Sequence, residues 1–137
     1  MSGLAYPIME TDPDGLETAT GRPFADLTLD NILSGKLAAA DFTITAKALR
    51  MQAQVARPVS RDTLADNFER AAELVQVPDA VVMEIYELLR PGRAASAAVL
   101  KACAQNLRDA YGARTMAAFI DQAADAYERR SLFRQRY

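Results

Sequence analysis

The amino-acid sequence predicts an all-α protein, an open up-and-down helical bundle with an irregular N-terminal segment rich in Pro and Gly. Three observations predict it. Apolar residues recur at 3.6-residue spacing in several stretches after residue 28, the pattern of helices with one buried face. Gly35, Pro58, Pro78, Pro91-Gly92 and Gly112 punctuate those stretches, where helices stop or turn. No alternating apolar–polar run is longer than four residues, so no strand is expected.

Residues 1–27 hold Pro7, Pro13 and Pro23 with Gly15 and Gly21. Proline fixes φ and removes a donor, and glycine loosens the backbone, so the segment reads as an extended arm. The expected domain organisation is therefore an arm at 1–27 and a helical domain at 28–137. A short helix opens at Thr28 as N-cap, with Leu29, Ile32 and Leu33 as its apolar face and Gly35 as its stop. Residues 41–44, Asp-Phe-Thr-Ile, read as a short extended piece. Thr45 opens a second helix, from Ala46 to about Arg57, closed by Pro58. Ser60 is the expected cap of a third, reaching to about Gln76, whose inward stripe is Leu64, Phe68, Ala71, Ala72 and Val75. Asp79 caps a fourth, with Val82, Ile85 and Leu89 as one stripe and Val81 and Leu88 beside it. Arg90-Pro91-Gly92 stops it. Ser96 caps a fifth, with Leu100, Cys103, Leu107 and Tyr111 inward and Gly112 as terminator. A sixth starts near Arg114 or Thr115, turns Met116, Ile120, Ala123 and Tyr127 inward, and leads toward the basic tail.

Hydrophobic residues make up 50% of the 137 and charged residues 25%, the balance of a globular chain and not of a disordered one. Aromatics reach only 7%, Trp is absent and alanine is abundant. Such a core buries little apolar area for its length, and a large partner surface would make up the deficit. The formal net charge of −2 argues against nucleic acid, which asks for a basic footprint. Charge is uneven, however. Glu10, Asp12, Asp14 and Glu17 lie near the start, while Arg129, Arg130, Arg134 and Arg136 crowd the end. These are either two solvated termini or an acidic end and a basic tail that docks on an acidic partner. The N-terminus lacks the basic-then-apolar pattern of a signal peptide, and no apolar run approaches a membrane span. A cytoplasmic protein is expected, with no membrane partner.

The chain has no histidine and one cysteine. That removes the usual general base, the commonest metal ligand, any Ser–His or Cys–His pair and any internal disulfide. No Gly-rich phosphate loop is present. Cys103 sits on an apolar stripe and reads as a core residue. Asp62 with Asp66, and Asp121 with Asp125, stand at helical spacing but alternate with the apolar stripes, so they read as solvated pairs and not as acid–base machinery. In Arg90-Pro91-Gly92-Arg93 two guanidinium forks flank a rigid turn. They suit the grip of a partner's carboxylates or carbonyls, and equally Arg90 suits the C-terminal dipole of its own helix.

The runs Thr20-Gly21-Arg22-Pro23, Leu27-Thr28-Leu29, Leu33-Ser34-Gly35, Gln52-Ala53-Gln54 with Ala56, Asn67 through Leu74, and Ile85-Tyr86 through Leu89-Arg90-Pro91 with Arg93 occur in one order. Together they resemble the small subunit of the adenosylcobalamin-dependent diol and glycerol dehydratases. The resemblance covers residues 20 to about 130. It implies a non-catalytic helical chain that packs on a large (β/α)₈-barrel subunit. The enzyme, a hydro-lyase, would convert 1,2-diols or glycerol to aldehydes by radical dehydration. Adenosylcobalamin would sit between the large and medium subunits, in a heterohexamer with two copies of each of three chains. This chain would supply no catalytic, cofactor-binding or metal-binding residue. Glu69 stands where family members often carry a basic residue, and Gly92 where they carry a bulkier one. Some relatives carry an extension tied to packaging in a bacterial microcompartment; residues 1–19 do not resemble an amphipathic targeting helix, which leaves encapsulation open.

The residues expected at the partner contact are Arg22, Phe24, Asn67, Arg70, Tyr86, Arg90, Pro91 and Arg93, with Phe68 better suited to the core. Two other readings compete. A helical adaptor or helix-turn-helix regulator would use Ser60–Leu74 and Asp79–Arg90, against the acidic charge. A stand-alone enzyme would need a site that this chain does not offer.

Overall fold

The computed structural model describes residues 3–133, and over these the chain is α-helical with 3₁₀ turns and no strand. The expected all-α class is met. The helices are α1 (Ile8–Thr11), α2 (Leu29–Leu33), α3 (Ala46–Ala56), α4 (Asp62–Leu74), α5 (Asp79–Leu89), α6 (Ala97–Tyr111) and α7 (Arg114–Arg130). The chain divides by packing into two compact units, Met1–Val75 and Gln76–Tyr137. The division expected at residue 27 follows local conformation; this one follows the contacts.

The first unit is organised by the hairpin of α3 and α4. Thr45 caps α3 as expected, its hydroxyl accepting the Ala48 N–H at 3.1 Å. Ala53, Ala56 and Ala65 form the buried centre, with Phe68 packed against it. Methyl-sized side chains on both helices let the backbones approach, and this sets which face of α4 turns inward. The buried residues of α4 are Ala65 and Ala72. Leu64 and Val75, expected inside, are exposed, because the alanine face and not the leucine face meets α3. Ser60 is not the cap of α4. It adopts a left-handed conformation at φ 61° and ends the 3₁₀ turn Arg57–Val59. The Arg61 N–H then bonds back to the Ala56 carbonyl at 3.1 Å, which delays the new helix to Asp62. Arg57 pairs with Asp66 at 2.9 Å and approaches Asp62 at 3.9 Å, so this carboxylate pair, exposed as expected, clasps the mouth of the hairpin.

Two further differences lie in the first unit. Residues 41–44 are extended only in part: Asp41 and Phe42 belong to the 3₁₀ turn Ala39–Phe42, and Thr43 is extended. The turn is closed by the Asp41 carboxylate, which accepts the Ala38 N–H at 2.8 Å, and by the Thr43 hydroxyl, which donates to the Ala40 carbonyl at 2.7 Å. Helix α2 forms where expected, capped by Thr28 and followed by Gly35 at φ 72°. Its apolar side chains, however, are exposed: Leu29, Ile32 and Leu33, the last at 76%.

The second unit is built on α6 and α7. Gly112, at φ 63°, ends α6 as expected and leaves only Ala113 before α7. Leu100, Ala104 and Leu107 of α6 are fully buried, as are Ala117, Ile120 and Ala124 of α7. Lys101 pairs with Asp125 at 3.0 Å, and Arg108 pairs with Asp121. The partner number falls from 125 to 121 as α6 advances, the mark of an antiparallel pair. Asp121 and Asp125 are thus interhelical clasps and not a free solvated pair. Helix α5 contributes Ile85 to the interior. Asp79 is the first residue of α5, after Pro78, and makes no capping bond; Ser96 holds the cap position of α6 but its hydroxyl does not cap. Helix α7 ends at Arg130, with Ser131 left-handed at φ 54°. Arg134 and Arg136 of the basic tail lie outside the described residues.

Candidate partner-docking surface

The expected contact residues fall in both units. In the first, residues 16–24 close into a small loop. The Thr18 N–H donates to the Arg22 carbonyl at 2.9 Å, the Gly21 N–H to the Thr18 carbonyl at 2.9 Å, and the Phe24 N–H to the Leu16 carbonyl at 3.1 Å. Glu17 and Pro23 bridge antiparallel across its neck. Gly21 makes the turn at φ 82°, a conformation that only glycine adopts without strain. Phe24 is half-buried, and Arg22 is exposed.

Asp41 ties this loop down. Its carboxylate accepts from the Thr18 hydroxyl at 3.1 Å, from the Thr20 hydroxyl and from the Ala38 N–H, with Arg22 Nε at 3.7 Å. Thr18 and Asp41 are the buried polar residues among those described, Asp41 at 5% exposure. A carboxylate so placed needs donors around it, and these bonds provide them. The Thr20 hydroxyl first, then the Ala38 amide, hold its pKa below the ordinary carboxylate value, against the opposing effect of desolvation.

On α4, Arg70 donates to the Asn67 side-chain carbonyl, one turn away on the same face. In the second unit, Tyr86 stands 62% exposed on α5, with Met83 exposed one turn before it. At the end of α5, Arg90 and Arg93 both pair with Glu87, each at 3.2 Å. Two cations on one carboxylate leave a net positive, half-exposed knuckle. Arg90 engages a side chain here rather than only the end of its helix. The turn between them is pinned, since the Gly92 N–H donates to the Leu132 carbonyl at 2.7 Å. The Tyr127 hydroxyl donates to the Leu89 carbonyl. Pro91 is exposed at the crest.

A shallow groove of about 400 Å³ runs between α5 and α6, lined by Val81, Ile85, Leu88, Val99, Glu84 and Cys103 among others. Cys103 is therefore only half-buried. Burial, and then the nearby Glu84 carboxylate, push its thiol pKa up, which leaves it a poor nucleophile. No group of residues suited to a metal ion occurs among those described, and none of their helices is long and apolar enough to cross a membrane.

The periodicity of the sequence gave no hint of the apolar surface. Leu29, Ile32, Leu33, Phe42 and Ile44 of the first unit are all exposed. In sequence they look like core; only their position outside the α3–α4 packing identifies them. The role of Asp41 had no sequence signal either, because its partners lie 21 and 23 residues away.

The family model for the dehydratase small subunit matches residues 1–134. The chain belongs to that family. It is 46% identical over 128 residues to the propanediol dehydratase small subunit of Salmonella typhimurium, an overlap of 93% of this chain and 73% of that one. It is 45% identical over 128 residues to the propanediol dehydratase small subunit of Citrobacter freundii, with 93% and 74% covered. A dehydratase small subunit has partner subunits. The helix-turn-helix alternative is not favoured, and its two helices, α4 and α5, fall on opposite sides of the division between the units. The groove between α5 and α6 offers aliphatic side chains with one carboxylate, one carboxamide and one thiol.

Proposed function

We propose that this chain is the non-catalytic small subunit of a coenzyme B12-dependent dehydratase that converts propane-1,2-diol or glycerol to an aldehyde. The observation that carries the reading is 46% identity, over 93% of the chain, to a propanediol dehydratase small subunit. The lack of histidine supports a role outside the chemistry. Adenosylcobalamin would be held by the large and medium subunits, and this chain would pack on the outside of the large one, in an assembly with two copies of each of three chains. The expected compartment is the bacterial cytoplasm, free or within a microcompartment.

The contact residues would be Arg22 and Phe24 of the loop with Asn67 and Arg70 of α4 in the first unit, and Tyr86, Arg90, Pro91 and Arg93 around the end of α5 in the second. The exposed Leu29, Ile32 and Leu33 of α2 would add apolar area. Together they include aromatic and arginine anchors, the residue types that dominate binding at protein interfaces. Residues 1–27 would act as an arm on the partner. Affinity capture of the tagged chain from cells that express all three subunits, with mass spectrometry of the captured chains, tests the reading. Large and medium subunits in equal amounts are expected; capture of neither would overturn it.

A further inference from the structure

We infer that Asp41 is a positioning residue for assembly: it fixes the 16–24 loop so that Arg22 is presented to a carboxylate of the partner subunit. The inference rests on the proposed role as a dehydratase subunit and adds to it a residue that makes no contact of its own.

The loop is short and mostly exposed, yet its Thr18 is buried. Its neck is bridged and its turn hydrogen-bonded. Its two threonine hydroxyls point inward to one carboxylate contributed by a distant segment. Apolar packing would serve if the only need were to attach a surface loop. A buried carboxylate is a costly attachment, and what it adds is direction, because each lone pair fixes a donor. The Thr18 hydroxyl extends the network by accepting the Arg22 N–H at 3.1 Å. Both the backbone and the side chain of Arg22 are thereby referred to Asp41. The ion pair uses Nε at 3.7 Å, while the Arg22 side chain keeps 44% of its surface exposed. The terminal amino groups of that guanidinium are the part left to meet a second acceptor, and a planar fork matches a carboxylate. An ordered loop binds without first being ordered, which removes part of the cost of association.

The test measures association of the full chain with immobilised large and medium subunits of the dehydratase, by biolayer interferometry, for five proteins. Wild type sets the reference. Arg22→Ala should weaken association about tenfold, the usual effect of losing one charge-assisted hydrogen bond. Asp41→Asn should weaken it to a similar degree and raise amide exchange of the Thr18, Arg22 and Ala38 N–H groups. Adding Asp41→Asn to Arg22→Ala should cost little more, since the two act through one contact. Thr45→Ala, which removes the cap of α3 and none of the bonds that hold the loop, should lower the melting temperature but leave association unchanged, so that a general loss of stability is distinguished from lost positioning. If wild type binds and Asp41→Asn binds equally well despite faster exchange in the loop, the inference falls. It also falls if the double variant loses the full product of the two single effects. A wild-type chain that binds neither subunit overturns the subunit reading itself, and this inference with it.

Discussion

Leu107→Ala tests the packing of the second unit at its centre. Leu107 is 0% exposed on α6, in the helix pair where Ile120 of α7 is equally enclosed. Truncation to alanine removes three carbons. At ~0.8 kcal/mol for each buried carbon, the transfer loss is about 2.4 kcal/mol. The cavity left between two helices that are clasped by Lys101–Asp125 and Arg108–Asp121 closes only partly, which brings the expected loss to roughly 3–4 kcal/mol. Melting entropy scales with length, and for 137 residues a loss of that size lowers Tm by about 10–14 °C if the chain melts as one. A larger fall would indicate that the unit Gln76–Tyr137 melts separately. Urea titration followed by far-UV circular dichroism reads the change, with Leu33→Ala as the exposed control expected to cost under ~0.5 kcal/mol. A Leu107→Ala loss below ~1 kcal/mol would refute the account of the α6–α7 interface.

Four further outcomes are expected. Tyr127→Phe removes the bond to the Leu89 carbonyl and should cost about 1 kcal/mol in the same titration, since the carbonyl is left without that donor. Thr45→Ala should cost ~1 kcal/mol through the lost cap of α3. Asp41 is held ionised in the folded chain, so its contribution is complete above the ordinary carboxylate value of 3.8 and disappears as pH falls below that through the lowered folded value; an acid titration of Asp41→Asn should lack this limb. Cys103, its thiol pKa raised, should react with iodoacetamide at pH 8 more slowly than a free thiol and speed up on unfolding.

The helices were legible because their signals are local. Thr28 and Thr45 cap as their side chains dictate, and Gly35 and Gly112 end helices in left-handed conformations. Leu100 and Leu107 of the α6 stripe and the pair Met116 and Ile120 carried the period of a buried face, and they are buried, while Cys103 and Tyr111 of that stripe are half-buried. What failed depended on partners far along the chain. The inward face of α4 is set by which residues of α3 it meets, and the alanines there outweigh Leu64 in deciding the approach. The 3₁₀ turn at Ala39–Phe42 follows from where the Asp41 carboxylate finds its donors, not from the β-propensity of Phe42-Thr43-Ile44. The apolar run of α2 had the pattern of core but lies outside it; periodicity reports that a face is apolar, not which chain covers it. The docking residues were suggested by family likeness, and the structure adds to them the Asp41 network and the convergence of Arg90 and Arg93 on Glu87.

The most direct test is the mass of the native assembly. Co-expressed with the large and medium dehydratase subunits, this chain should run in native mass spectrometry with both, at one copy per large subunit, and its release should abolish no cobalamin contact of its own. A chain that is found only free, while the other two subunits assemble and turn over diol at full rate without it, would contradict the account.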